Sequence, residues 1–107
     1  MRWSPAQPPR PGCPHRRLPF LLVRELPHRL SAGASTFRPW ASANFVGARH
    51  IFPCTLAAGD GAAVCRALQD RLSATEWTLP GHIVADVAVE WNADPQMLRI
   101  EILTVED

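Results

Sequence analysis

His82-Ile83-Val84-Ala85-Asp86-Val87-Ala88-Val89-Glu90-Trp91 is the stretch that decides the fold. Ile83, Ala85, Val87, Val89 and Trp91 alternate with His82, Val84, Asp86, Ala88 and Glu90. Side chains on a strand point to opposite faces in turn, so this period of two predicts a strand with one buried face. Asn92-Ala93-Asp94-Pro95-Gln96 reads as a turn, and residues 97–105 as a second strand carrying Leu98, Ile100 and Ile102 on one face. So short a connection makes the two an antiparallel hairpin.

Charge selects the register. Paired residues share a face, so the odd positions of the first strand must meet 98, 100 and 102. One solution pairs Trp91 with Leu98, Val89 with Ile100 and Val87 with Ile102, and sets Glu90 opposite Arg99. The two-residue slip sets Asp86 opposite Glu101. Cross-strand charge pairs contribute roughly 0.2–1 kcal/mol of either sign, which favours the Glu90–Arg99 register. That register also pairs Asp86 with Leu103 and Val84 with Val105. Val84, Leu103 and Val105 then stand on the otherwise polar face.

Working back along the chain, Asp60 is a good helix N-cap, since its carboxylate can accept from the unpaired N–H groups of the first turn. A helix is expected over 61–74, with Val64, Cys65, Leu68 and Leu72 on its apolar side and Arg66, Gln69, Asp70 and Ser73 on its wet side. Before it, residues 48–56 place Phe52, Cys54 and Leu56 on one face of a strand. Pro53 cannot donate to a ladder, which puts this strand at an edge. The fold class expected is therefore α+β: a small β-α-β-β domain with strand order first–third–second and one helix on one face. This is half of a ferredoxin-like topology, a comparison that carries no function.

Residues 1–44 read differently, as an Arg/Pro-rich disordered tail ahead of a 45–107 domain. Eight of the eleven prolines lie in residues 1–50, with eight Arg and a single acid, Glu25, for a net charge of +7. Residues 51–107 carry three Arg and nine acids, a net of −6. Such asymmetry marks a tail beside a domain. Residues 18–26 have room for one short turn or strand between Pro19 and Pro27, and 31–44 read as linker. Residues 1–40 also fit a mis-assigned start, translated upstream of the true one. All basic residues are Arg, a bias that base composition of the coding DNA explains better than a binding surface.

Three cysteines, Cys13, Cys54 and Cys65, are too odd a set for a disulfide framework and point to a reducing, cytoplasmic setting. The longest apolar run, Leu18–Val23, is far below the ~20 residues of a membrane span. A domain of some 60 residues is marginal alone, and a bare sheet face adds a reason to expect a homodimer.

Motifs for chemistry are sparse. Gly59-Asp60-Gly61 sits where a phosphate loop would, but its acid repels phosphate, so it reads as a capped helix start. His50-x3-Cys54 is poor metal spacing, and no structural zinc pair occurs. No nucleophile, base and orienter can be assembled around Ser73 or Thr104. No catalytic residue, metal or cofactor is therefore expected. His82, Asp86 and Glu90 share one strand face by alternation, although about 13 Å separates the first two along a strand. His82, Asp86, Arg99 and Glu101 are the binding candidates. The leading function is a non-enzymatic module that self-associates and binds a protein or small ligand. The alternative is a small enzyme or metabolite sensor whose pocket forms between subunits. Nucleic-acid binding by the Arg-rich tail, with Trp3, Phe20, Phe37 and Trp40 stacking on bases, ranks last, because the acidic half repels a polyanion.

Overall fold

A computed structural model describes residues 14–93 and 96–107. The expectations for residues 1–13, including Trp3 and Cys13, and for Asp94 and Pro95 of the turn lie outside the described residues. The chain runs α1 (Pro14–Val23), β1 (Leu30–Ala32), β2 (Thr36–Ala41), β3 (Val46–Leu56), α2 (Gly61–Ala74), β4 (His82–Asn92) and β5 (Met97–Glu106). The fold is α+β. Its five strands form one antiparallel sheet in which β3, β5 and β4 lie side by side, and β1 and β2 both pair with the other edge of β3.

The β4–β5 hairpin adopts the register set by charge: Trp91 opposite Leu98, Val89 opposite Ile100, Val87 opposite Ile102, and Glu90 opposite Arg99. The Glu90–Arg99 ion pair spans 3.9 Å between exposed side chains. Above Asp86 the ladder shifts. A β-bulge at Ala85 pairs Val84 with Thr104 and Ile83 with Val105. One extra residue turns every later side chain to the other face. Val84 therefore packs against the core instead of standing bare, and Ile83 takes its place on the open face.

Helix α2 runs from its Asp60 cap, whose carboxylate accepts from the N–H groups of Ala62 and Ala63. Val64, Leu68 and Leu72 are buried on the sheet. Gln69, expected on the wet side, is instead bound to β4. Its side chain donates to the Val87 carbonyl and accepts from the Val89 N–H, both at 2.7 Å. Because α2 lies over the outer strand β4, its flank reaches that strand's unpaired backbone.

The expected β-α-β-β description is incomplete, since a helix and two strands precede residue 45. Residues 30–41 form a strand interrupted at 33–35, and it folds back on β3 through a turn in which Ser42 N–H donates to the Phe45 carbonyl. The small residues of 31–44 resemble linker, but backbone pairing requires no particular side chain. Leu30 is buried and Phe37 half-buried on the covered side of the sheet. Consequently β3 lies inside the sheet, not at its edge. Pro53 is tolerated there because β1 ends opposite Cys54 and β2 begins opposite Ile51. Pro53 faces the gap, where its carbonyl accepts from Gly33 N–H at 2.7 Å and its nitrogen owes no ladder bond.

Helix α1 contains Pro19, which removes the bond to the His15 carbonyl. Complete burial of Leu18 and Leu22 on the core offsets that loss, at roughly 1.5–3 kcal/mol per side chain. Pro14 sits at the first helical position, where its missing N–H costs nothing. The core beneath both helices is built on Phe52, Cys54, Leu98, Ile100 and Ile102.

Candidate functional site

Two regions stand out: the open face of the sheet and a chain of polar side chains buried under α1. The open face follows from the registers. Its first row runs Trp40, Gly47, Val105, Ile83 across β2, β3, β5 and β4. The next runs Arg38, Arg49, Leu103, Asp86, and the third Thr36, Ile51, Glu101, Ala88. Pro53, Arg99 and Glu90 follow. Gly47 is required in the first row, because a Cβ there would strike the Thr104 carbonyl. The first row is apolar, with Ile83 half-exposed and Val105 buried. Charge is polarised below it. Arg38 and Arg49 lie on β2 and β3, and Asp86, Glu90 and Glu101 on β4 and β5, where Arg99 is the one cation among the described residues and is paired with Glu90. Arg49 reaches Glu101 at 3.6 Å.

The sequence-derived candidates divide accordingly. Asp86, Arg99 and Glu101 share the open face. His82 does not: the bulge at Ala85 turns it to the covered side, opposite Glu106, where its Nδ1–H donates to the Pro80 carbonyl at 3.2 Å. Arg99 and Glu90 border a shallow depression of about 560 Å³ that Ile51, Pro53 and Met97 help to line. A second cavity of about 370 Å³ lies between residues 25–29 and α2, rimmed by the 3.2 Å Arg71–Glu25 ion pair. Both volumes suit a small ligand.

The buried chain involves residues the sequence reading did not bring together. His15 on α1 places Nδ1 2.8 Å from Nδ1 of His50 on β3. His50 Nε2 lies 2.8 Å from Thr104 Oγ1 on β5. Ser35 Oγ lies 3.2 Å from His15 Nε2, and Thr104 Oγ1 donates to the Ala48 carbonyl at 3.4 Å. One proton order satisfies every group. Thr104 gives its proton to the carbonyl, so His50 Nε2–H donates to Thr104. His50 Nδ1 must then accept from His15 Nδ1–H, and His15 Nε2 accepts from Ser35. Both rings are neutral in this order. Phe37 packs on His15 with ring centroids 4.5 Å apart, which commits it to the interior.

Electrostatics favour the neutral form. Burial lowers the His15 pKa. That of His50 falls to about 3, first from burial and then from repulsion by His15 and His82. The order Ser35, His15, His50 is that of nucleophile, base and orienter. Its far end is a hydroxyl and a carbonyl rather than a carboxylate, so a cation on His15 gains no counter-charge there. Alternation held a partial signal: His50 extends the buried even positions of β3, and Thr104 those of β5. Nothing local marked His15 as their partner.

Cys54 is buried with its thiol pKa pushed up to about 11, and burial also raises that of Cys65. Cys54 is a core group, and Cys65 packs half-buried against the core with its thiol donating to the Val89 carbonyl at 3.2 Å. Among the described residues, no cluster of three His, Cys, Asp or Glu could hold a metal, and no helix is long and apolar enough to cross a membrane. No protein-family model, curated protein or solved structure matches this chain.

Proposed function

We propose that this chain is a small non-enzymatic α+β module that self-associates through the open face of its sheet and binds a protein or small ligand. The observation that carries the reading is the face itself. Helices cover one side of the sheet, and the other presents an apolar row above oppositely charged halves. A second copy can satisfy both features at once. The ligand half of the proposal is supported by the depression beside Arg99 and the cavity beside Arg71. A cytoplasmic setting is part of the reading, supported by the unbridged Cys54 and Cys65. Sedimentation of the full chain tests self-association: a concentration-dependent dimer is expected. A monomer at high micromolar concentration removes the proposal.

A second reading, a small hydrolytic enzyme, is favoured by one observation, the Ser35–His15–His50 order. A serine-directed fluorophosphonate distinguishes it. Labelling at Ser35 that disappears in His15→Ala would support the enzyme, and an unlabelled wild-type chain would remove it.

A further inference from the structure

We infer that two copies stack sheet on sheet about a two-fold axis that runs parallel to the strands, midway between β3 and β5. This rests on the self-association proposed above and adds its geometry. When the strands of two stacked sheets are aligned, a two-fold axis lying between the sheets runs along the strands or across them. Along the strands, each residue keeps its row and changes sides, so β2 of one copy covers β4 of the other. Arg38 then faces Asp86 of the second copy, and Trp40 faces Ile83 of the second copy. Across the strands, with the axis centred on the same face, the rows exchange instead. Asp86 then covers Glu90 of the second copy, and Glu101 covers itself. Like charges meet in that arrangement, at a cost the first avoids.

Two further observations support the pairing. Arg38 and Asp86 occupy opposite sides of the face, three strand spacings or about 14 Å apart, so they cannot pair within one chain. Both are exposed, and among the described residues neither forms an ion pair. The face also has the necessary size. Four strands span about 19 Å and residues 97–105 about 30 Å, giving roughly 550 Å² per copy. The pair would bury about 1,100 Å², just past the ~1,000 Å² of a specific interface.

Charge reversal in the full chain tests the axis. In Arg38→Glu two acids face each other twice per dimer, and in Asp86→Arg two cations do. Each single variant should raise the dimer dissociation constant at least about tenfold. An equimolar mixture of the two should form a heterodimer of near wild-type affinity, as should the double variant with itself. The neutral variants Arg38→Gln and Asp86→Asn should each weaken the dimer less, and mixing them should recover only part of the loss, since one of the two Arg38–Asp86 pairs returns. A wild-type monomer would overturn the self-association reading, and this inference with it. A wild-type dimer that the reversals leave intact, or weaken without recovery on mixing, would overturn the axis alone. Far-ultraviolet circular dichroism confirms that each variant keeps its fold.

Discussion

The Nδ1 atoms of His15 and His50 lie 2.8 Å apart, so a single proton joins helix α1 to strand β3. Two neutral imidazoles can share that contact, one donating and one accepting. A proton on both nitrogens would break it. The buried chain thus couples the attachment of α1 to the protonation state of the core.

Acid should therefore loosen the fold through these histidines. Both folded-state pKa values lie below the ordinary 6.5, that of His50 at about 3. Between those limits the unfolded chain binds more protons. The stabilisation is complete above about pH 6.5 and is lost as pH falls toward 3, by at most ~1.4 kcal/mol per pH unit per proton. Urea unfolding across this range should show a flat limb above pH 7 and a falling one below 6.5. His50→Phe should be about 1–3 kcal/mol less stable at pH 7.5, because His15 Nδ1–H loses its acceptor and Thr104 Oγ1 its donor, and should show a shallower acid limb. An unchanged limb would exclude His50 as its cause.

Leu18 tests whether α1 belongs to the core. Leu18→Ala should cost ~2–5 kcal/mol by opening a cavity. Phe20, two residues on and 75 % exposed, should tolerate Ala within about 0.5 kcal/mol. Equal effects in chemical denaturation would mean that α1 does not pack as described.

The sequence made β4, β5, α2 and the order of their neighbours legible, because alternation and one charge pair constrain them strongly. The bulge at Ala85 was not legible. Ile83 and Val84 are both apolar, so either could face the core, and one residue decides whether His82 joins Asp86. Strands β1 and β2 were hidden because backbone pairing is blind to composition, and their anchors Leu30 and Phe37 lie among Ser, Ala and Gly. Helix α1 was hidden by Pro19, a local cost offset by distant packing. Gln69 was misplaced because helical periodicity assumes that a helix lies over the middle of a sheet. Of the candidate site, the open-face positions Asp86, Arg99 and Glu101 could be read, and the His15–His50 contact, which joins residues 35 apart, could not.

Two glycines should respond differently to Ala. At Gly47 the new Cβ meets backbone, the Thr104 carbonyl and Val105 Cα, so β3 and β5 must separate. At Gly61 it meets the Trp91 indole, a side chain 38 % exposed and able to swing outward. Gly47→Ala should cost about 2 kcal/mol or more. Gly61→Ala should stay within about 1 kcal/mol, since reduced freedom of the unfolded chain offsets the repacking. Thermal melts of both, with Trp fluorescence reporting on Trp91, check the difference.

Gln69→Ala should remove both bonds to β4 at once, with the exposed one to Ser73 Oγ, and leave the Val89 N–H without its side-chain acceptor. A loss of ~1–3 kcal/mol is expected, together with faster amide exchange at Val89. Unchanged exchange there would show that another group, or water, already serves that amide.

The Gln69 bonds bear on how far assembly can proceed. A free outer strand is a template on which further chains can add without limit, the route to fibrils. Here the side-chain amide occupies the β4 groups that an incoming strand would need, as a chain terminator occupies a growing polymer end. On the opposite border, Pro39 in β2 offers no N–H. Edge-on growth is thereby hindered at Val87 and Val89 of β4 and at Pro39 of β2, whereas the flat of the sheet, where the proposed self-association would place a second copy, meets no such obstacle. Self-association of the kind proposed would then close at two copies instead of continuing edge to edge.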